Sequence, residues 1–584
     1  MAARNSSLLR QLSLVCRSIP GTLVMVTALL LVSGLIPVAK VHISKRLLDL
    51  FAEGMGNNLA DTRVDLAVLV GLQLGVAALA ATVTSLSAFY TRSSGEKFKL
   101  ILTEAILNKL KRVAYPRFED SEFLDALNLA NAQVARSPLQ IIESLATMLK
   151  GITTVVFMVG AIAGELPWSL AVALASTVPM LLHRRKHAAR LFRAERARQE
   201  IRRRIAYYVR LLSGRASAAE LQVYRARGRM TKKCVRLLRY VLKRDQRLLY
   251  LDFKGSMGAH ITTSVGFAAV TFSVGHGILE GRFTIGDFAL LTGAFASIHA
   301  AFGGVLGAIS RLHEQRIFVD SYYDFMDTPE QTYPNDNHPR AQGPESASGL
   351  DVRFENVSFR YPGTRNLAIR NASFLLDAGR LCAIRGPNGG GKSTLLKLLV
   401  GLYRDYDGEI SIGGRNIAHC SPEELSALFS VSLQEYQRYD ATVRENIAIA
   451  AGDTTVHDLD LTSAARDTGL IKLLSQLPNG LSTKIGREFS GGLDLSAGQW
   501  KLTGITRAFV RDAPIRLIDE PSASLDVHAA RKVFEAIRTM GAPCTSIVVT
   551  HRLENVNDFD AVLFVSKGNV TQCRPNADWC VPED

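Results

Sequence analysis

"LCAIRGPNGGGKSTLLKLLVGL" (residues 381–402) decides how this chain folds. An apolar strand runs into a glycine loop, and the loop runs into a helix. Gly386, Gly391, Lys392 and Ser393 complete the pattern GxxxxGK[ST]. Glycine permits the backbone angles that turn successive N–H groups toward one point, where phosphate oxygens fit. Pro387, Asn388, Gly389 and Gly390 lie in the same loop, and Thr394 follows it. Lys392 is placed to reach the β- and γ-phosphates, and the Ser393 hydroxyl to ligate Mg²⁺. The stretch therefore predicts an α/β nucleotide-binding domain that uses Mg²⁺.

Further along, "APIRLIDEPSASLD" (513–526) reads as a buried strand ending in two carboxylates. Asp519 falls beside the metal, and Glu520 is placed to polarise the attacking water as general base. Between these stretches lies "LDLSAGQWK" (493–501), a small-residue turn running into a helix. A helix N-terminus leaves backbone N–H groups without intrahelical acceptors and suits an anion. The chain thus carries two phosphate seats about 100 residues apart.

The first half is built differently. A bilayer core needs about 20 apolar residues in a helix. Gly21–Ala39, Leu66–Thr91, Gly255–Leu279 and Phe288–Ser310 contain no charged residue, and Gly151–Leu182 is broken only by "GELPW" (164–168). Six spans follow, near 21–42, 66–91, 144–164, 166–183, 255–279 and 288–310. Residues 1–328 form a helical membrane domain, and "PEQTYPNDNHPRAQGPESASG" (329–349) reads as a linker. Residues 350–584 form the ATPase domain.

Charge sets the orientation. Residues 184–248 hold 22 Lys/Arg and four Asp/Glu, a net +18 that exceeds the whole chain's +15. The positive-inside rule makes this stretch cytoplasmic. An even number of spans puts both termini and the ATPase domain on that side, in the cytoplasmic membrane. Lys40, Lys45 and Arg46 then lie outside, against the trend. The long inner segments read as helices continuing past the bilayer, with turns near 117–124 and 213–222. The seven cysteines show no metal-ligand spacing.

These motifs, in this order, resemble the ATP-binding cassette (ABC) exporter family, as a bacterial half-transporter, over nearly the whole chain. "VSFRYPG" (357–363) resembles the adenine-stacking segment, with Tyr361 as the aromatic. "VSLQEYQRYDATVRENI" (431–447) resembles the Q-loop, with Gln434 at the metal. "LSAGQ" (495–499) resembles the signature LSGGQ, "SASLD" the D-loop ending at Asp526, and "VVTHRL" (548–553) the switch segment, with His551 near the γ-phosphate. The resemblance implies that two ATPase domains close head to tail. Each ATP would lie between one P-loop and the partner's signature, where Ser496, Gly498 and Gln499 contact it. Glu520 and His551 would be catalytic, and Ser393, Gln434 and Asp519 would hold the metal.

The function so implied is ATP-driven export of an amphiphilic small molecule, lipid or peptide by alternating access. Import on exporter architecture and ATP-dependent regulation with little turnover are the alternatives. The partners implied are a second subunit, with a homodimer favoured over a heterodimer, the bilayer and a cargo the residues do not identify. Six spans exclude the soluble nucleic-acid-handling ATPases that share these motifs. Ala497 replaces the first signature glycine, Leu502 stands where a basic residue is usual, and Arg516 interrupts an apolar strand. Gly504 is expected to weaken its helix by about 1 kcal/mol relative to Ala. Gly303 and Gly304 are expected at close helix contacts.

Overall fold

The computed structural model describes residues 20–54, 59–134, 137–162, 167–330, 349–452, 456–539, 544–550 and 559–573. The chain divides into two compact units. One comprises residues 1–112 and 121–328, the other 113–120 and 329–584.

The first unit is helical. Its main elements are α1 (Pro20–Gly54), α2 (Leu59–Leu110), α3 (Ser121–Val134), α4 (Ser137–Ile162), α5 (Pro167–Ser213), α6 (Arg227–Leu279) and α7 (Ile285–Glu314). At 1.5 Å per residue, the 52 residues of α2 extend about 78 Å, far beyond a bilayer core of about 30 Å. Its apolar stretch faces outward, with Val64, Val68, Leu72 and Leu74 all exposed. Five of the described helices are long and apolar enough to cross a membrane. The helix α5 breaks at Gly214, and a short helix, Arg215–Val223, leads into α6.

Close helix contacts fall at glycines other than those expected. A β-carbon on Gly34 would meet the Thr153 hydroxyl at 2.2 Å, locking α1 against α4. One on Gly151 would meet Val305 at 2.5 Å, locking α4 against α7. Gly303 has nothing within 4 Å and Gly304 only an ordinary contact with Thr147, so the expectation for that pair is corrected. Both lie on the helix α7, where the tightest approach of α4 falls at Ala301 and Val305, opposite Gly151, and Gly304 leaves room for a β-carbon.

Polar ties close the unit's ends. Thr284 and Asp287 form a capping box on α7, and the Asp49 carboxylate of α1 accepts the Gly286 N–H at 2.9 Å. Lys45 pairs with Asp287 at 2.6 Å, which gives this cation on the expected outer side a local carboxylate. In the basic stretch, Arg203 bonds Asp125 of α3 at 2.7 Å and Arg204 bonds Glu200 at 2.7 Å.

The second unit is α/β. A four-stranded antiparallel sheet has the order β2 (Ile369–Leu376), β1 (Val352–Phe359), β4 (Asp407–Ile412), β5 (Arg415–Asn416). A six-stranded sheet has the order β12 (Asn569–Cys573), β11 (Ala561–Ser566), β3 (Leu381–Arg385), β10 (Thr545–Val549), β9 (Ile515–Asp519), β6 (Phe429–Ser432). Its strands are parallel except β12. The strands β9 and β10 are buried throughout, as both-face-covered parallel strands must be. β7 (Ala441–Thr442) and β8 (Lys484–Ile485) form a small ribbon.

The segment 113–120 packs on this unit. Its 3₁₀ turn, Tyr115–Glu119, places Glu119 to accept the Tyr403 hydroxyl and to pair with Lys397 at 3.5 Å. The Tyr115 ring meets Tyr403 edge-on at 5.7 Å.

Candidate functional site

In an open parallel sheet, ligands bind beyond the carboxyl ends of the strands. Four sequence motifs converge at that edge. β3 ends at Arg385 and opens the P-loop, β6 ends two residues before Gln434, β9 ends in Asp519, and β10 ends two residues before His551. His551 lies outside the described residues.

The P-loop is held from behind by β11. At Gly386, φ is +144°, and a β-carbon there would stand 1.9 Å from the Val565 carbonyl, so only glycine fits. Gly390 accepts a hydrogen bond from the Gly568 N–H at 3.0 Å. Gly391 caps the helix Lys392–Leu399 in the left-handed region. The Lys392 ammonium donates to the Gly386 and Pro387 carbonyls, each at 2.9 Å. It thus spans the loop that residues 386–391 form. Burial lowers the Lys392 pKa, and the neighbouring Glu520 and Asp519 carboxylates oppose that shift. Ser393 is exposed at the loop mouth, whereas Thr394 is buried and shares a 2.9 Å hydrogen bond with the Tyr361 hydroxyl. The Tyr361 ring stands edge-on to Phe359 and Tyr403.

The two carboxylates differ. Asp519 is buried, and its pKa is pushed up to about 6, by burial first and then by the Glu520 charge. Lys501, Lys392 and the Gln434 backbone N–H pull the other way. Glu520 adopts φ +49°, a left-handed conformation that costs a non-glycine residue about 1 kcal/mol or more. Its carboxylate accepts the Gln434 side-chain amide at 3.1 Å. A buried carboxylate beside a second one, at the edge where the P-loop ends, offers the oxygen ligands that suit a hard divalent cation. The residues present therefore fit Mg²⁺.

The second seat forms around the helix Ala497–Val510. Ser496 is its N-cap, and Ser496 and Gln499 make a capping box, each side chain bonding the other's backbone. The N–H groups of Ala497 and Gly498 have no intrahelical acceptor by helix geometry. A β-carbon on Gly498 would meet the Ser524 carbonyl at 2.8 Å, so the signature packs directly on the stretch leading to Asp526. Asp526 accepts the Ala529 N–H at 2.8 Å and caps the helix Val527–Thr539. Among the described residues, no hydrogen bond joins Ser496, Gly498 or Gln499 to the P-loop.

Two residues at this edge escaped sequence reading. Lys501 is buried, donates to the Asp519 carbonyl at 3.0 Å and lies 5.7 Å from the Tyr436 ring centre. Tyr436 packs over Gly504, where a β-carbon would stand 3.0 Å from the ring. Lys501 and Tyr436 both lie in motif segments, at 493–501 and 431–447, but no role follows from their place in the sequence. The tertiary fold alone brings them together.

Fold and site define the class: an ABC-type ATPase joined to a domain of long apolar helices. Residues 369–523 match the family model described as ABC transporter. The subtilin transport ATP-binding protein SpaT of Bacillus subtilis is 24% identical over 92% of this chain and 86% of that protein. An ATP-dependent lipid A-core flippase of Xanthomonas campestris pv. campestris is 29% identical over 53% of this chain, which spans 51% of that relative. The structure of a bacterial Atm1-family ABC exporter with ATP bound matches 95% of both chains, with a TM-score of 0.78 at 20% identity, and so shares the fold. The chain thus carries an ABC transporter domain over residues 369–523 and is similar along most of its length to proteins in which a domain of apolar helices is fused to an ATP-binding domain.

Proposed function

We propose that this chain is one half of an ATP-driven exporter in the cytoplasmic membrane. It has six spans, with both termini and the ATPase domain on the cytoplasmic side. It works as a dimer, a homodimer in the favoured arrangement, and its cargo is an amphiphilic small molecule, lipid or peptide. The cargo class is supported by the roles of similar proteins, one in subtilin transport and one in lipid A-core flipping.

The observation that carries the reading is the meeting of the Lys392 ammonium, Asp519, Glu520 and Gln434 at one sheet edge. Lys392 would hold the β- and γ-phosphates, and the P-loop N–H groups would wrap them. Tyr361 would stack the adenine. Ser393, Gln434 and Asp519 would hold Mg²⁺, which when bound neutralises phosphate charge. Glu520 would accept the proton of the attacking water, with Gln434 holding its carboxylate. The partner's Ser496–Gln499 helix end would close over the phosphates. Closure then shifts the membrane domain between two states, and hydrolysis reopens it.

Glu520→Gln tests this. The amide keeps the shape and cannot take a proton, so phosphate release falls by about 100-fold or more while ATP binding persists. Turnover of the wild-type order in the purified variant removes Glu520 from the role of base.

A further inference from the structure

Lys501 is the most deeply placed cation near the catalytic edge, only 3% exposed. A buried ammonium is costly unless it is paired and hydrogen-bonded. Its ammonium donates to the Asp519 carbonyl oxygen, at 3.0 Å. That oxygen belongs to the peptide group joining Asp519 to Glu520. The N–H of the same peptide donates to the Val549 carbonyl of β10 at 3.0 Å. The peptide plane is thus held at both ends, by Lys501 on one side and by the neighbouring strand on the other.

The plane matters because the φ of Glu520 is a rotation measured from it. At +49° this residue sits where a side chain is disfavoured, and it stays there only if its surroundings over-determine it. A peptide held at one end alone can tilt, and tilting lets φ relax toward negative values. The Glu520 carboxylate would then swing away from its 3.1 Å contact with Gln434. Tyr436 closes the space beside the ammonium, at 5.7 Å from ring centre to Nζ, and so holds Lys501 beneath the turn. The Asp519 and Glu520 charges lie close enough to offset part of its desolvation.

We propose that Lys501 is a positioning residue of the ATPase site, clamping the Asp519–Glu520 peptide so that Glu520 keeps its left-handed conformation. Lys501 lies on the helix that the signature opens. The clamp therefore ties the seat expected to serve the partner's ATP to this subunit's own base. The proposal rests on the reading of Glu520 as the base of an ATPase.

The test uses the full-length purified chain and three variants, Lys501→Met, Lys501→Gln and Glu520→Gln, in ATP turnover and in peptide-level hydrogen–deuterium exchange. Lys501→Met keeps the volume and removes the donor. Its kcat is expected to fall by about tenfold or more, with the KM for ATP within about twofold of wild type. Exchange is expected to quicken in the peptide covering residues 519–523 and to stay unchanged over β9 and the Lys392–Leu399 helix. Wild-type kcat in Lys501→Met, with Glu520→Gln inactive, overturns the clamp and leaves the ATPase reading intact. Faster exchange throughout β9, or a KM that rises as kcat falls, also overturns it, because a structural role would give that pattern. If Lys501→Met does not fold, Lys501→Gln is measured in the same way, and loss of fold in both overturns positioning in favour of a structural role. Wild-type-like turnover in Glu520→Gln removes the base itself, and the proposal falls with it.

Discussion

Arg516 stands in the middle of the buried strand β9, where a charge needs a partner. The fold supplies several, among them the Ala508 carbonyl, which its Nε reaches at 3.1 Å, and the Phe509 ring, whose centre lies 4.7 Å from its guanidinium. Ala508 lies in the last turn of the signature helix, whose carbonyls lack intrahelical donors. The same carbonyl also accepts the Ser430 hydroxyl at 2.7 Å, so losing Arg516 does not leave it unsatisfied. Arg516→Leu is therefore expected to keep ATP turnover within about twofold of wild type, the apolar side chain suiting a buried strand. Arg507 is the contrast. It donates to the Asn446 and Gln437 carbonyls, each at 2.8 Å, and to the Asn446 side chain at 3.0 Å, and it covers the Tyr439 ring at 5.0 Å. Arg507→Leu strands several buried acceptors at once and costs about 3 kcal/mol or more. Thermal melting and ATPase assays of both variants check the ranking, and equal loss in the two would contradict it.

At the scale of elements, Gly504 looks like a flaw in the signature helix when the chain is read in one dimension. The helix is nonetheless continuous from Ala497 to Val510. The glycine is where Tyr436 packs, with its ring 3.0 Å from the position a β-carbon would take. Two terms therefore compete in Gly504→Ala: a propensity gain of about 1 kcal/mol and a steric conflict with the ring. The conflict is expected to win, so the substitution alone does not raise the melting temperature of the full-length protein. In a Tyr436→Leu background the ring is gone, and the same substitution is expected to raise it. Additive effects in the two backgrounds would show that Gly504 and Tyr436 are not coupled.

On the scale of the whole molecule, one P-loop and one signature per chain make the dimer testable by complementation. Lys392→Ala damages one seat, and Ser496→Arg, which puts bulk and charge at the helix N-terminus, damages the other. Each homodimer then carries two defective sites. If signatures act across the interface, a mixed dimer collects both lesions in one site and leaves the other whole. That site is expected to trap about one nucleotide per mixed dimer in the presence of vanadate, with dimers isolated by two different affinity tags. Trapping no greater than in either homodimer would place each signature at its own subunit's ATP. Arg203 and Arg204 belong to the basic stretch that sets the expected orientation. Both already bond carboxylates of this chain, so part of the basic stretch serves its own helices.

The P-loop was legible in the sequence because its chemistry is local. Gly386 through Ser393 are consecutive, and their spacing alone states what the backbone can do. The apolar runs were legible for a similar reason, since the length of a span is set by the bilayer and counted along one helix. Contacts between distant segments were not legible. Gly303 and Gly304 are small and adjacent, yet the helices touch at Gly34 and Gly151, because which face of a helix meets its neighbour depends on packing. Asp519 could be read as a strand-end carboxylate, but its displaced pKa comes from burial beside Glu520, Lys501 and Lys392, brought together only when β3 and β9 flank β10. Lys501 and Tyr436 are 65 positions apart along the chain, and the motif segments they lie in give neither a role. The chain's sequence determined which groups could bind phosphate and which segments could cross a membrane, since both depend on near neighbours. The tertiary structure decided which buried charges face one another and which peptide a lysine holds, since those depend on three-dimensional distance and on solvent exclusion.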